Sequence, residues 1–278
     1  MSENSPDKIN VKDNILIMSK DFPEHRLGNR VKLSYKWIDG NVENLLDGGC
    51  SYGYGTRFLA EKSKNTYAID VNETHIEVAS KRYTDINFKT GILENTEYSD
   101  NFFDYIVLND VLEHTTDKIQ TLQEMYRILK PGGTIIISTP HKGMFAFIDP
   151  YNYGYNLRKF IPWLYKGLYK IIRLIKEGKI PGEFNPKHIE KHWHYSIKDF
   201  RNMLDSTGFN DNYRIEKTFR SGLFMEVLVM NLESILNIFF KQRISQFLLK
   251  PLSWLAEIDY WIPYGILSYN IAVKIKKK

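Results

Sequence analysis

The turn Asp47-Gly-Gly-Cys-Ser-Tyr-Gly-Tyr-Gly55 follows the apolar run Asn44-Leu-Leu46 and is the first place in the chain where backbone can approach a ligand closely. Glycine lacks a Cβ and tolerates positive φ, so such a turn can present main-chain N–H groups to a polar ligand. Its spacing excludes two common uses. A dinucleotide fingerprint counted from Gly53 would need glycine where Phe58 stands, and a phosphate-binding P-loop would need Gly-Lys-Ser/Thr, which is absent. A plain structural turn is the alternative reading. The second feature is Asp70, which closes Tyr67-Ala-Ile-Asp70. A carboxylate after a second strand is placed to accept hydrogen bonds from both hydroxyls of a ribose. Otherwise it would cap the next helix, a job open to Asn72 or Thr74 as well. A glycine turn after one strand and an acid after the next point to a nucleoside ligand without a pyrophosphate.

These residues need a frame to hold them. Strand signals at residues 44–47, 66–70, 86–89, 103–109 and 134–138 alternate with helical patterns at 56–62, 73–83 and 118–129. A further helix is expected over 25–38. Strands alternating with helices imply βαβ crossovers and a parallel sheet, whose ligands bind beyond the carboxyl ends of the strands. The composition permits such a core: 278 residues, 43% hydrophobic and 26% charged, an ordinary globular balance rather than a disordered one. The single cysteine, Cys50, excludes an internal disulfide and a cysteine-rich metal site. The polar start, Met1-Ser-Glu-Asn-Ser-Pro6, has no apolar leader, so a cytoplasmic location is expected. The late uncharged run 260–273 is shorter than the ~20 residues of a membrane span and is broken by Pro263 and Gly265.

Five strings in this order resemble the motif set of class I S-adenosylmethionine-dependent methyltransferases, and within them the type 11 group. They are Leu45-Leu-Asp-Gly-Gly-Cys-Ser-Tyr-Gly-Tyr-Gly55, Ala68-Ile-Asp70, Phe103-Asp-Tyr-Ile-Val107, Asp110-Val-Leu-Glu-His114 and Glu124-Met-Tyr-Arg-Ile-Leu-Lys-Pro-Gly-Gly133. A weaker echo follows at His194-Tyr-Ser196 and Asp205-Ser-Thr-Gly-Phe209. The resemblance implies an α/β, Rossmann-like doubly wound sheet of about seven strands, mostly parallel, with S-adenosyl-L-methionine as cofactor. By the same resemblance Gly49, Cys50 and Gly53 turn their backbone to the methionine part. Asp47 organises the turn and approaches the amino group, Asp70 takes the ribose, and Asn109 lies near the methionine moiety. The family often has an acid for the adenine amine where this chain has Ile92; Ile92 can instead pack on the ring while the Leu93 amide meets a ring nitrogen, with Glu94 as a substitute. Ser51 stands where a third glycine is common.

Methyl transfer from a sulfonium is an in-line displacement in which the protein mainly aligns the groups and excludes water. A hydroxyl acceptor benefits from a general base, because its own pKa lies far above neutral. His194 is the expected base, with His141, which directly follows the fifth strand, as the second candidate. His114 belongs to a string found with many acceptors and is read as an organiser of the next helix. His188, His192 and His194 form H-x3-H-x-H, but no acid stands at a familiar ligand spacing, so no metal is expected. Nucleic acid is not the expected substrate: the Asp/Asn-Pro-Pro-aromatic string of base-amine enzymes is replaced here by Asn109-Asp-Val-Leu112, and Cys50 sits in the cofactor turn rather than at a nucleophile position.

Three segments flank or interrupt the βα rhythm. Residues 1–24 read as a polar arm. Within the methyltransferase domain at 25–230, residues 141–194 are an aromatic-rich insert expected to cap the acceptor site. Residues 231–278 are an apolar and basic helical extension. Between 157 and 182 lie Arg158, Lys159, Lys166, Lys170, Arg173, Lys176 and Lys179, opposed only by Glu177. On a helix over 161–176 the basic residues share one face, and Ile161, Leu164, Leu168, Ile171, Ile172 and Ile175 share the other. Such a helix either packs on its own domain or lies on an anionic membrane surface, here the inner face of the membrane. The extension packs on the insert, forms a homodimer or lies on a bilayer. The expected reaction is O-methylation of a small-molecule or lipid-linked acceptor, glycan or quinone-like. The alternatives are an RNA or protein methyltransferase, and a cofactor-binding subunit without activity.

Overall fold

The computed structural model describes residues 28–178 and 191–278, so the polar arm at 1–24, His25 and His188 lie outside the described residues. Its centre is a seven-stranded sheet in the order β3-β2-β1-β4-β5-β7-β6. The strands are β1 (Val42–Gly48), β2 (Ser63–Asp70), β3 (Asn87–Thr90), β4 (Phe103–Asn109), β5 (Leu129–Pro140), β6 (Tyr213–Ser221) and β7 (Asn270–Lys277). The first five pair in parallel, with Asp47 beside Ala68 and Asn109 beside Ser138. β7 runs against β5, since the Tyr269 carbonyl accepts the His141 N–H at 2.6 Å while Lys277 Nζ reaches the Leu129 carbonyl at 2.7 Å. Contacts within the fold divide the chain into two units.

One unit holds the described residues up to Ser138, with Arg201–Lys217 and Val273–Lys278. Its central strands are covered on both sides, which is why they read as continuous apolar runs. Ile106, Val107 and Leu108 of β4 and Ile135, Ile136 and Ile137 of β5 are fully buried, each contributing about 1.5–3 kcal/mol. The helices are α1 (Asn29–Trp37), α2 (Thr56–Leu59), α3 (Glu73–Arg82), α4 (Lys118–Ile128) and α7 (Ile197–Asp205), the last of which begins in the other unit. Asp117 caps α4 by accepting the Ile119 and Gln120 N–H groups, and Leu122, Met125 and Ile128 form its buried stripe. Lys130-Pro-Gly-Gly bulges out of β5, because Phe103 faces Leu129 while Tyr105 already faces Thr134.

The other unit holds Thr139–Phe200 and Thr218–Ala272. It therefore joins the expected insert to most of the expected extension. The insert supplies α5 (Pro150–Phe160) and α6 (Pro162–Glu177); the extension supplies α8 (Met225–Phe239) and α9 (Gln242–Tyr260). α5 and α6 pack on each other and on α8, and α9 packs on α8. Asn231 Nδ2 donates to the Ile148 carbonyl at 2.9 Å. Of the expected destinations for the extension, packing on the insert is the one seen.

Two expectations about the end of the chain need correction. In sequence, the apolar run 223–229 reads as a strand that would finish the sheet, and it instead leads into α8. The apolar pattern runs on at helical spacing through Phe239, and buried Asp259 accepts the N–H groups of Leu223 at 2.9 Å and Met225 at 3.2 Å, satisfying donors at the helix start. The extension is also not helical to its end, since residues 270–277 form β7. Lys274 and Lys277 are accordingly not parts of a free basic tail. Lys274 is 1% exposed and pairs with Asp39, while Lys277 Nζ donates to the Tyr126 and Leu129 carbonyls at 2.8 and 2.7 Å. A lysine stem is long enough to pack in a strand and still reach oxygen partners.

Candidate functional site

The glycine turn leaves β1 between α2 and the end of β2. Gly49 and Gly53 have φ of 73° and 72°, the left-handed region that glycine occupies without strain. Space adds a second reason. A Cβ on Gly49 would stand 2.3 Å from a Val111 methyl, and one on Gly53 would stand 2.6 Å from the Phe88 ring. Ser51 adopts φ 49°, which accounts for the glycine common there, and its N–H donates to Asp70 Oδ2 at 2.8 Å. Asp70 Oδ1 accepts the Asn72 N–H at 2.9 Å. The cap of α3 is Asn72, whose side chain accepts the His75 N–H, so Asp70 is not the capping residue. Asp70 thus ties the turn after β1 to the end of its own strand.

Beside this turn lies a cleft of about 360 Å³. Gly49, Asp70, Ile92 and Leu93 line it, as do Val71, Glu94, Asp110 and His114. Ile92 is 51% and Val71 69% exposed, apolar surface in the same cleft as the Asp70 carboxylate. Glu94 is engaged elsewhere, accepting the Thr116 and Asp117 N–H groups at 2.8 and 3.3 Å. Asp110 has φ 52° and forms an ion pair with Arg30. This set suits a nucleoside with an apolar, stackable base and a diol. Asp70 would hold the hydroxyls, Val71 and Ile92 the ring, and the Gly49 backbone the remainder.

Three expected cofactor residues do not line the cleft with their side chains. Asp47 is buried and accepts the Thr56 hydroxyl at 2.6 Å; burial pushes its pKa up to about 7, against the lowering effect of that bond and with a further rise from Asp70. The Cys50 side chain packs into a core cluster with Ala68, Ile76 and Ile86, and burial drives its thiol pKa up, which makes it inert. Asn109 Oδ1 accepts the hydroxyls of Ser34 at 2.9 Å and Ser138 at 3.1 Å, so the cleft meets the next residue, Asp110. Sequence reasoning missed Val71 and Arg30, and had Asp110 only as a candidate base at the head of the Asp110-Val-Leu-Glu-His114 string. An apolar residue directly after the ribose acid was the signal available for Val71.

The expected catalytic histidines belong to the other unit. His141 is buried, with Nδ1 2.9 Å from the Ser268 carbonyl, and burial lowers its pKa. His194 Nε2 lies 2.7 Å from Asp149 Oδ2, and His192 Nδ1 lies 2.5 Å from the same oxygen. The Tyr269 hydroxyl donates to it at 3.2 Å, and the Tyr151 N–H donates to Oδ1 at 2.9 Å. Burial alone would raise the Asp149 pKa, but the bonds from both rings overcome it and hold the carboxyl well below its usual range. Asp149 was not singled out in the sequence. It stands far from both histidines along the chain, so no local spacing marks it.

Comparison with known proteins agrees with the cleft. A methyltransferase domain family matches residues 46–137. The malonyl-[acyl-carrier protein] O-methyltransferase of Serratia marcescens is 33% identical over 35% of this chain and 38% of its own. The ubiquinone biosynthesis O-methyltransferase of Rickettsia typhi is 26% identical over 66% of this chain and 71% of its own. The first curated relatives are matched over only 38–40% of their length. A Haemonchus contortus N-methyltransferase solved with S-adenosylhomocysteine shares the fold, with a TM-score of 0.54 at 16% identity over 90% of this chain and 52% of that one. With the strand order, the glycine turn and the Asp70 cleft, these matches identify a class I S-adenosylmethionine-dependent methyltransferase domain, with S-adenosylmethionine as its cofactor.

Proposed function

We propose that this protein transfers the methyl group of S-adenosylmethionine to a hydroxyl of a small-molecule or lipid-linked acceptor, and works against an anionic membrane surface. The observation that carries the membrane part is the surface of the second unit. Phe160, Trp163 and Ile171 of α5 and α6, and Phe239, Phe247 and Trp254 of α8 and α9, are all exposed. Lysines and arginines punctuate α5, α6 and α9, whereas α8 carries none. Large apolar side chains left in water over several neighbouring helices mark an interaction surface. Aromatic residues among cations suit the headgroup level of a bilayer. Among the described residues no helix is long and apolar enough to cross a membrane, so the contact would be interfacial. A lipid-linked or quinone-like acceptor is consistent with this surface, and the Rickettsia relative named for ubiquinone biosynthesis supports the same class.

The acceptor proton is assigned to the histidines of the second unit, His194 and His141. Asp149 holds the His194 ring by Nε2, which leaves Nδ1 as the acceptor nitrogen. His194→Ala lowers turnover by roughly 10²–10⁴ while cofactor affinity stands. The test of the whole reading is a product scan. Protein, S-adenosylmethionine with a labelled methyl group and fractionated extracts are combined, and label is sought in the organic phase, the aqueous small-molecule fraction, RNA and protein. Label in an extractable lipid or quinone-like product supports the proposal. Label confined to RNA or protein overturns it, and mass fragmentation distinguishes an O-methyl from a C-methyl product.

A further inference from the structure

The cluster around Asp149 has a shape that base catalysis alone does not require. Two imidazoles and a hydroxyl converge on a single carboxylate oxygen, Oδ2. Oδ1 is held away by the Tyr151 N–H, so one oxygen is presented to the rings. Asp149 is 0% exposed, and both histidines are almost fully covered. The histidines stand on either side of exposed Trp193, and this alternation puts both rings on one side of the chain. The segment is pinned at both ends. Asn152 brackets the His192 main chain with bonds of 3.1 Å in each direction, and the Tyr195 N–H donates to the Pro140 carbonyl at 2.9 Å.

We propose that Asp149, His192 and His194 bind a divalent first-row transition metal, Zn²⁺ being the best chemical match. Two imidazoles and one carboxylate are the donor set of open zinc sites, which keep a position for a water or a substrate oxygen. The donating atoms are His192 Nδ1, His194 Nε2 and Asp149 Oδ2, which lie within 4.8 Å of one another. Tetrahedral coordination at about 2.0–2.1 Å needs donors roughly 3.3 Å apart, so the hydrogen-bonded atoms part by less than about 1 Å when the ion enters. Each ring gives up the proton on its Asp149-facing nitrogen and carries it on the other, so both rings remain neutral ligands. Tyr269 stays as a donor to the ligating carboxylate, the outer-sphere support that tunes such sites. The inference does not depend on what the acceptor is. Once the ion is bound, His194 Nδ1 carries the ring proton and no longer accepts one, so if the acceptor is a hydroxyl, a metal-bound oxygen would ionise more readily and its proton would pass to His141 rather than to His194.

The experiment uses the untagged full chain, stripped of metal by chelation and dialysis. It is titrated with Zn²⁺ by calorimetry and with Co²⁺ by visible absorption. One saturable equivalent is expected, with Co²⁺ showing the intense visible bands of a low-symmetry nitrogen–oxygen site. Asp149→Asn and His192→Ala each weaken binding by more than the roughly 100-fold typical of losing an outer-sphere partner, whereas His141→Ala changes it by no more than about twofold, being outside the donor set. Cofactor affinity serves as the check that each variant folds. Absence of saturable binding, or binding undiminished in the first two variants, overturns the proposal. Should those variants not fold, the Cu²⁺ spin-resonance spectrum of the wild-type chain decides. Nitrogen coupling from a pair of imidazoles supports the site, and none overturns it.

Discussion

Asp47 and Asp70 stand at the ends of neighbouring strands and behave oppositely. Asp70 lines the cleft, and its bonds to the Ser51 and Asn72 N–H groups aim it and brace the turn. Asp70→Ala removes bonds to a ribose worth about 1.5–3 kcal/mol each, so cofactor affinity falls by at least tenfold in calorimetry; an unchanged affinity would leave Asp70 as a brace alone. Asp47 faces inward and reads out as pH dependence. Its pKa of about 7 in the folded state lies above that of the unfolded chain, which is about 3.9. The folded protein therefore holds a proton that the unfolded chain has released, and stability falls as pH rises from about 4 to about 7. Buried Glu113, also raised by burial and by Asp110, adds to the same trend. Thermal unfolding of the cofactor-free protein should show this decline, and Asp47→Asn, which cannot ionise, should flatten it. Superimposable profiles would contradict the assignment. At this scale the cleft-lining Gly49, Asp70, Ile92 and Leu93 were legible because they sit at fixed offsets from strand ends, whereas Gly53 shapes the turn without lining the cleft. The partners of Asp149 were not, because a contact between distant segments leaves no local pattern.

At the scale of elements, the alternation of strand and helix up to Ser138 was legible, because β4 and β5 contain continuous apolar stretches and the helices over 73–82 and 118–128 begin at side-chain caps. The end of the sheet was not. β7 mixes lysines with apolar residues, and Lys274 and Lys277 read as solvent-facing until their partners are known. Lys274 meets Asp39, and burial, which would lower its pKa, is outweighed by that bond. Lys277 has its pKa lowered by burial, opposed only by distant Asp100, and its ammonium is held by main-chain carbonyls. Lys277→Met keeps much of the stem but leaves the Tyr126 and Leu129 carbonyls without this donor. A loss of about 1–3 kcal/mol is expected, seen as a drop of roughly 2–12 °C in the unfolding midpoint. An unchanged midpoint would make the buried ammonium dispensable.

For the molecule as a whole, a net charge of +5 is modest, and its placement matters more than its size. The exposed large apolar side chains fall mostly beyond residue 143, in the unit that also carries the basic helix α6. Two kinds of attraction should therefore add on an anionic bilayer. Each cation near the surface contributes about 1 kcal/mol and is screened within a Debye length, whereas the apolar area is insensitive to salt. Co-sedimentation with anionic vesicles should weaken at high salt without vanishing. Replacing Lys166, Lys170 and Arg173 together with Glu should weaken it further and leave cofactor affinity intact. Equal absence of binding to anionic and neutral vesicles would remove the membrane role and turn attention to self-association through α8 and α9.

The position of β7 has a consequence for how the chain is made. It follows β6 in sequence but enters the sheet between β5 and β6. During synthesis those two strands emerge before the strand that joins them, so each waits with an open ladder of N–H and C=O groups. Open edges of this kind are templates for pairing with the wrong chain, and closing them late requires contacts between residues far apart in sequence, which slows folding. The nascent protein would thus be most exposed to misassembly, and most in need of chaperone shielding, in the interval before residues 270–277 clear the ribosome.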